Sequence, residues 1–202
     1  MMAMDEGKVH PLAAVKGFVD PSIGSHLVRI GHYCRAIAEH LGTPADLQRT
    51  MLHAAPMHDV GKLGVPATIL RKPGPLTVEE FRIVKEHTRI GQRLLSDCSS
   101  GAFQSAAIIA LTHHERFDGS GYPNGLKAEG IPLVGRICAV GDVFDALTSD
   151  RPYKRAWQVD AAVAEIAVNA GRHFDPKIVE AFYGALPEIL RLKERFPDRS
   201  AV

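Results

Sequence analysis

Ten histidines among 202 residues are the part of this sequence from which chemistry can be argued, because several stand beside aspartates or beside one another. In chain order the metal-capable residues are His26, His58, Asp59, His87, His113, His114 and Asp142. A single inward histidine is ordinarily a hydrogen-bonded core residue, since imidazole is easily satisfied when buried. Five of them with two carboxylates are a different matter. Burying so many ionisable groups without a cation carries a large desolvation cost. Imidazole and carboxylate donors without thiolate suit iron, manganese or zinc rather than calcium or a structural zinc. Seven donors exceed the needs of one ion, so two ions sharing a carboxylate are expected. Paired metals serve in-line attack on a phosphodiester, with a water between them ionising near neutral pH as nucleophile.

The elements that must position these donors read as helices. From Ser25 to Leu41, Leu27, Ile30, Cys34, Ile37, Ala38 and Leu41 recur three and four apart and Gly42 follows, an amphipathic helix with its stop signal and His26 near its start. Thr43 and Pro44 open a second helix that runs through Leu47, Met51, Leu52 and Ala55 into MHDVGK. Adjacent His58 and Asp59 cannot face one way in a regular helix, so the helix is expected to end there, with Gly61 letting the backbone turn to present both. LGVPATILRKPGPLT, with five Gly and Pro breakers, reads as a loop. Thr77 with Glu80 is a capping-box pattern opening one helix through Phe81, Val84, Ile90 and Leu94, with His87 on its inward face. A helix from Ala102 to Glu115 places Ile109 and Ala110 four residues ahead of His113 and His114. RFDGSGYPNGLKAEGIP is too rich in Gly and Pro for regular structure and reads as a long ordered loop. Pro132 begins a helix with Cys138, Asp142 and Asp145 on one side, and Asp175 with Pro176 starts one of two or three more. With no β alternation and no internal repeat, the expected fold is an all-α bundle whose core receives side chains from facing helices.

Composition bounds the rest. With 46% hydrophobic and 23% charged residues, the chain reads as one globular domain over 20–202, preceded by a tail or linker remnant over 1–19. Lys and Arg total 24 against 23 Asp and Glu, a balance that gives no field for a long nucleic acid or a membrane surface. No stretch is apolar for long enough to cross a bilayer and MMAMDEGKVH lacks a signal-peptide core, so a cytoplasmic protein is expected. Cys34, Cys98 and Cys138 are odd in number and widely spaced, which points to buried thiols rather than disulfides or a thiolate zinc site.

MHDVGK, HTRIG, HHERFDGSGYP, GDVFDALTSDRPYK and the later HFDP stand in an order and spacing that resembles the HD-GYP family, cyclic di-GMP phosphodiesterases of the HD superfamily. The likeness runs from about Pro21 to about Tyr183 and rests on the long, unusual HHExxDGxGYP string. It implies an HD-type bundle that opens cyclic di-GMP to linear pGpG, with any further cleavage to GMP slow. It further implies that Asp59 bridges two metals, most readily iron or manganese, and that His26, His58, His87, His113, His114 and Asp142 complete the ligands. Lys62 resembles the family lysine that holds the scissile phosphate, and Arg151 and Lys154 match the segment that grips substrate. Asp145, one turn beyond Asp142, is a candidate to contact a guanine edge or to orient a ligand. Gly121, Tyr122 and Pro123 are the GYP, expected to shape the lip of the site and to dock protein partners without chemistry of their own; the plainer alternative is that they only hold the loop together. Many family members carry Glu four residues before the first-helix histidine, where this chain has Ser22, a poor ligand for a divalent ion, so two metals are expected and not three. The alternatives are a cyclic di-GMP-binding regulatory module with little turnover, or an HD hydrolase of another phosphoester.

Overall fold

A computed structural model describes residues 21–97, 101–150 and 155–198; the expected tail over 1–19, Cys98, Arg151 and Lys154 lie outside the described residues. The architecture is an all-α bundle of α1 (Pro21–His40), α2 (Ala45–Ala54), α3 (Ala67–Leu70), α4 (Val78–Lys85), α5 (His87–Ser96), α6 (Gly101–Thr112), α7 (Leu133–Thr148), α8 (Val159–Val168) and α9 (Pro176–Arg195). Helix α1 lies at the centre, packed against α2, α7 and α9, while α6 bridges α5 to α7. Its inward face is the predicted one, with Leu27, Ile30, Cys34, Ile37 and Ala38 all buried. Helix α9 answers with Ile178, Phe182, Ala185, Ile189 and Leu192, spaced four and three apart, and α7 with Ile137, Cys138 and Phe144. Burying a Leu, Ile or Phe contributes about 1.5–3 kcal/mol over leaving it exposed. This apolar layer therefore supplies the stability that lets ionisable groups be gathered at its edge. Among the described residues, no helix is long and apolar enough to cross a membrane.

Local signals act as expected at two helix starts. Thr77 and Glu80 form the full capping box: the Glu80 N–H donates to Thr77 Oγ1 at 3.2 Å and the Thr77 N–H to Glu80 Oε2 at 2.7 Å. Asp175 caps α9 by accepting from the Lys177 N–H at 2.8 Å, with Pro176 at the first position. Elsewhere the structure corrects the reading. The second helix stops at Ala54 and gives way to two 3-10 turns, Ala55–Met57 and Val60–Gly64. Pro56 lies in the first of these and has no N–H with which to continue the α-helical ladder. The helix expected from Thr77 through Leu94 is two helices broken at Glu86. The loop before it contains the single turn α3, and the helix leading to His113 ends at Thr112.

Gly61 has a different task from the one its position suggested. A Cβ there would lie 1.8 Å from the His87 carbonyl oxygen and 2.5 Å from the Gly91 nitrogen. The turn carrying His58 and Asp59 thus rests directly on the backbone of α5, and the requirement is for space rather than for a turning φ.

Candidate metal centre

His58 and Asp59 face the same cavity because the backbone changes conformation between them. His58 keeps helical dihedrals, whereas Asp59 moves to φ −102° and ψ 10°, the sparsely used bridge region. Helix α5 brings His87 up to the same point, the end of α6 delivers His113 and His114, α1 contributes His26, and α7 contributes Asp142. These seven residues fall into two adjacent groups, Asp59 with His87, His113 and His114, and His26 with His58 and Asp142, with the ligand atoms of each group within 4.8 Å of one another.

The two oxygens of Asp59 divide between the groups. Oδ1 lies 3.4 Å from His87 Nε2 and 3.8 Å from His113 Nε2, while Oδ2 lies 3.5 Å from His58 Nε2 and against the Lys62 ammonium. In the second group Asp142 Oδ1 stands 3.7 Å from His58 Nε2 and 3.8 Å from His26 Nε2. Ligand atoms each about 2.1 Å from one ion stand about 3–3.5 Å apart. The cluster is therefore only slightly looser than a filled coordination sphere.

The proton positions are set for metal binding. His58 Nδ1 faces the Ala55 carbonyl at 2.9 Å, His87 Nδ1 the Val84 carbonyl at 2.6 Å, and His113 Nδ1 the Ile109 and Ala110 carbonyls at 3.0 and 3.1 Å. Nitrogens facing carbonyl oxygens must be the donors, so in each ring Nε2 keeps its lone pair for the cavity. The acceptors lie at or near the ends of helices and turns, and two of them are shared: the Ala55 carbonyl also accepts from the His58 N–H at 3.1 Å and the Ile109 carbonyl from the His113 N–H at 3.0 Å. His58 Nε2 is buried and has no hydrogen-bond partner, an orphaned acceptor that a divalent ion would satisfy. Burial pushes His58 down to about 4, only partly opposed by Asp59, and His113 down to about 3, with His58 adding to the effect. His87 and His114 are also lowered, chiefly by burial. Burial alone would raise the Asp59 carboxyl, but Lys62 and the surrounding histidines hold it well below its usual value. His58, His87, His113 and His114 are thus held as neutral imidazoles around the ionised Asp59 carboxylate, the state that binds a cation.

Lys62 lies in the turn after the pair, its side chain 40% exposed, between Asp59 and the open side. The GYP loop closes over the His114 end. Tyr122 stacks on the His114 ring with centroids 4.8 Å apart, its N–H donates to the His114 carbonyl at 3.1 Å, and Phe81 meets its edge. Gly121 is needed for close approach, since a Cβ would come within 2.3 Å of the Arg116 nitrogen. The loop is anchored by Glu115, buried beside the histidine pair, which accepts from the Asn124 and Leu126 N–H groups at 2.8 and 3.0 Å. Pro123 is tied by its carbonyl to Arg89 at 3.0 Å.

Asp145 is 1% exposed, and its carboxylate is engaged by His26 Nδ1 at 2.7 Å and by Arg29 at 2.6 and 2.9 Å. A guanine edge has no access to it, so of the two roles expected for Asp145 the geometry favours orienting a ligand. The Ser22 backbone lies in the first turn of α1, and its side chain is outside those described. Sequence reasoning missed Arg29 and Glu115. The first gave no signal beyond being a charge on an apolar helix face, while the second sat in plain view within HHERFDGSGYP.

Comparison with known proteins identifies the family. A family model described as HD domain matches residues 18–178. The chain is 45% identical over 190 residues to the cyclic di-GMP phosphodiesterase response regulator RpfG of Xanthomonas campestris, an alignment covering 94% of this chain and 50% of that protein. It is 42% identical over 176 residues to 3'3'-cGAMP-specific phosphodiesterase 2 of Vibrio cholerae, covering 87% of this chain and 34% of that one. Among solved structures, Bd1817 of Bdellovibrio bacteriovorus, described as an HDG"Y"P protein, superposes with a TM-score of 0.63 at 18% identity, over 80% of this chain and 51% of that one. The chain belongs to the HD domain family, in its HD-GYP branch. It spans about half the length, or less, of these curated relatives.

Proposed function

We propose that this chain is a metal-dependent phosphodiesterase that opens cyclic di-GMP to linear pGpG in the cytoplasm, with cleavage on to GMP slow. The observation that carries the reading is Asp59, one oxygen facing each of two donor groups at 3.4–3.8 Å. That arrangement suits two divalent ions, iron or manganese as the family resemblance implies, which Asp59 would share. When bound, such a pair supplies Lewis-acid polarisation of the phosphodiester and lowers the pKa of a water beside it. The chain's own residues do the remainder. His87, His113 and His114 would hold one ion and His26, His58 and Asp142 the other. Lys62 sits where it can leave Asp59 for a phosphate oxygen and stabilise the charge that develops there. Arg151 and Lys154 would grip a phosphate or base of the substrate, and Gly121, Tyr122 and Pro123 would shape the lip and offer a surface to protein partners, with the exposed Phe81 against Tyr122. Ser22 argues against a third ion, and elemental analysis returning three per chain would sink that count.

The relatives' names support hydrolysis of a cyclic dinucleotide, and the relative from Vibrio cholerae named for 3'3'-cGAMP supports a second reading, in which that hybrid dinucleotide is the preferred substrate. Anaerobically purified protein loaded with Fe(II) or Mn(II) should convert cyclic di-GMP to pGpG faster than it consumes 3'3'-cGAMP. The reverse order would favour the second reading, and tight binding without turnover would favour a regulatory module.

A further inference from the structure

Arg29 is a charged residue on the apolar face of α1. It follows His26 by three positions, lies among Leu27, Ile30 and Tyr33, and is 1% exposed. Its guanidinium is held from two directions. Toward α7, Nε donates to Asp145 Oδ1 at 2.6 Å, and Nη2 to Asp145 Oδ2 at 2.9 Å and to Ser149 Oγ at 3.1 Å. Toward the turn that follows α9, Nη1 donates to the Phe196 carbonyl at 2.8 Å and Nη2 pairs with Asp198 at 2.8 Å. The Phe196 ring stacks on His32 of α1 with centroids 5.4 Å apart, which seats this turn on the same helix.

Asp145 passes the constraint on. Its Oδ2 accepts from His26 Nδ1 at 2.7 Å, fixing the ring so that Nε2 points at Asp142. His26 is thus the ligand oriented by a side chain, whereas His58, His87 and His113 are oriented by main-chain carbonyls. Burial opposes both charges of the Arg29–Asp145 pair, yet their contacts with each other, with His26 and with Asp198 keep the carboxyl ionised and the guanidinium charged. A buried guanidinium that lost Phe196 and Asp198 would have to swing toward water to be solvated, and in doing so would release Asp145.

We propose that Arg29 and Asp145 are positioning residues that make the His26–His58–Asp142 metal position conditional on docking of the turn at Phe196–Asp198. Contacts run without a gap from that turn through Arg29 and Asp145 to His26, so loosening the turn weakens one ion and leaves its neighbour in place. The inference rests on the two-ion reading given above. It assigns to the end of α9, far from the HD pair in sequence, control over half of the centre.

The test uses the full chain titrated with Co(II), with stoichiometry and affinity read from visible absorption and with thermal melting of every variant. Wild type should bind two ions. Asp145→Asn should bind one ion with wild-type affinity and the second about 10- to 100-fold more weakly, the range expected for loss of a group that orients a ligand. Asp198→Ala, whose side chain is 29% exposed and whose loss leaves the core filled, should weaken the same ion by a smaller factor. A merely structural role would lower the melting temperature and weaken both ions alike, or neither, and either pattern in Asp145→Asn overturns the proposal. Unchanged affinity for the second ion in Asp198→Ala overturns its link to the turn. Fewer than two ions in wild type would instead refute the metal reading beneath it, a result distinguishable from the others.

Discussion

Replacing Gly61 by alanine should damage the proposed metal centre without touching any of its proposed ligands. The new Cβ would start 1.8 Å from the His87 carbonyl oxygen and 2.5 Å from the Gly91 nitrogen, and both obstacles are backbone. Reaching even 3.0 Å, the shortest separation real Cβ atoms tolerate, requires the turn and α5 to part by about 1.2 Å, the difference between 3.0 and 1.8. If that displacement falls along the Asp59–His87 direction, their 3.4 Å separation grows to about 4.6 Å. Two ligands of one ion, each about 2.1 Å from it, can be no more than about 4.2 Å apart. The substitution therefore cannot keep both residues on a shared ion in the present geometry. Overpacking of this kind costs about 1–3 kcal/mol and more where nothing flexible can yield, which for a chain of this length lowers the melting temperature by about 2–4 °C per kcal/mol. The assay is metal stoichiometry together with thermal melting. Gly101→Ala serves as the control, since a Cβ there meets nothing within 4 Å. Gly61→Ala protein that melts with wild type and holds two ions would refute the claim that this glycine is kept for space.

Asp59→Ala should weaken both ions together, because one oxygen faces each group, and elemental analysis showing full metal content would contradict the bridging role. Metal-free protein should lose stability as pH falls below about 6.5, because the unfolded chain then takes up protons that buried His58 and His113 refuse until about 4 and about 3. Each such group contributes a slope approaching about 1.4 kcal/mol per pH unit; urea melts at pH 7, 6 and 5 with coincident midpoints would show the histidines to be protonated in the fold. Glu115→Gln should loosen the GYP loop at a cost of about 1–3 kcal/mol, since an amide offers one acceptor oxygen where two N–H groups now bind two. Hydrogen exchange at Asn124 and Leu126 reads this directly, and unchanged protection would refute the anchoring role.

What could be read in advance divides along a physical line. Helix starts at Thr77 and Asp175 were legible because a cap is a local bargain between a side chain and the next turn. The inward faces of α1 and α7, and with them His26 and Asp142, followed from periodicity. The break at Glu86 had no local sign, for VEEFRIVKEHTRIG contains no proline and no glycine near it. It comes from packing, since the segment must bring His87 to Asp59 while its backbone lies against Gly61. The 3-10 turns around His58 were half legible, in Pro56. Arg29 was illegible because its partners, Asp145 and Asp198, lie more than a hundred residues away, and only tertiary structure could have brought them to one buried guanidinium.

The hydrogen bonds behind the histidines also decide how this centre can change over generations. His58, His87 and His113 lean on carbonyl oxygens, which every amino acid supplies, so no substitution at Ala55, Val84, Ile109 or Ala110 can delete the acceptor itself. Those three proposed ligands are insulated from sequence drift behind them. His26 leans on the carboxylate of Asp145, which a single codon change can remove. The two halves of the centre therefore differ in mutational fragility, and loss or retuning of metal content is expected to begin on the side of His26.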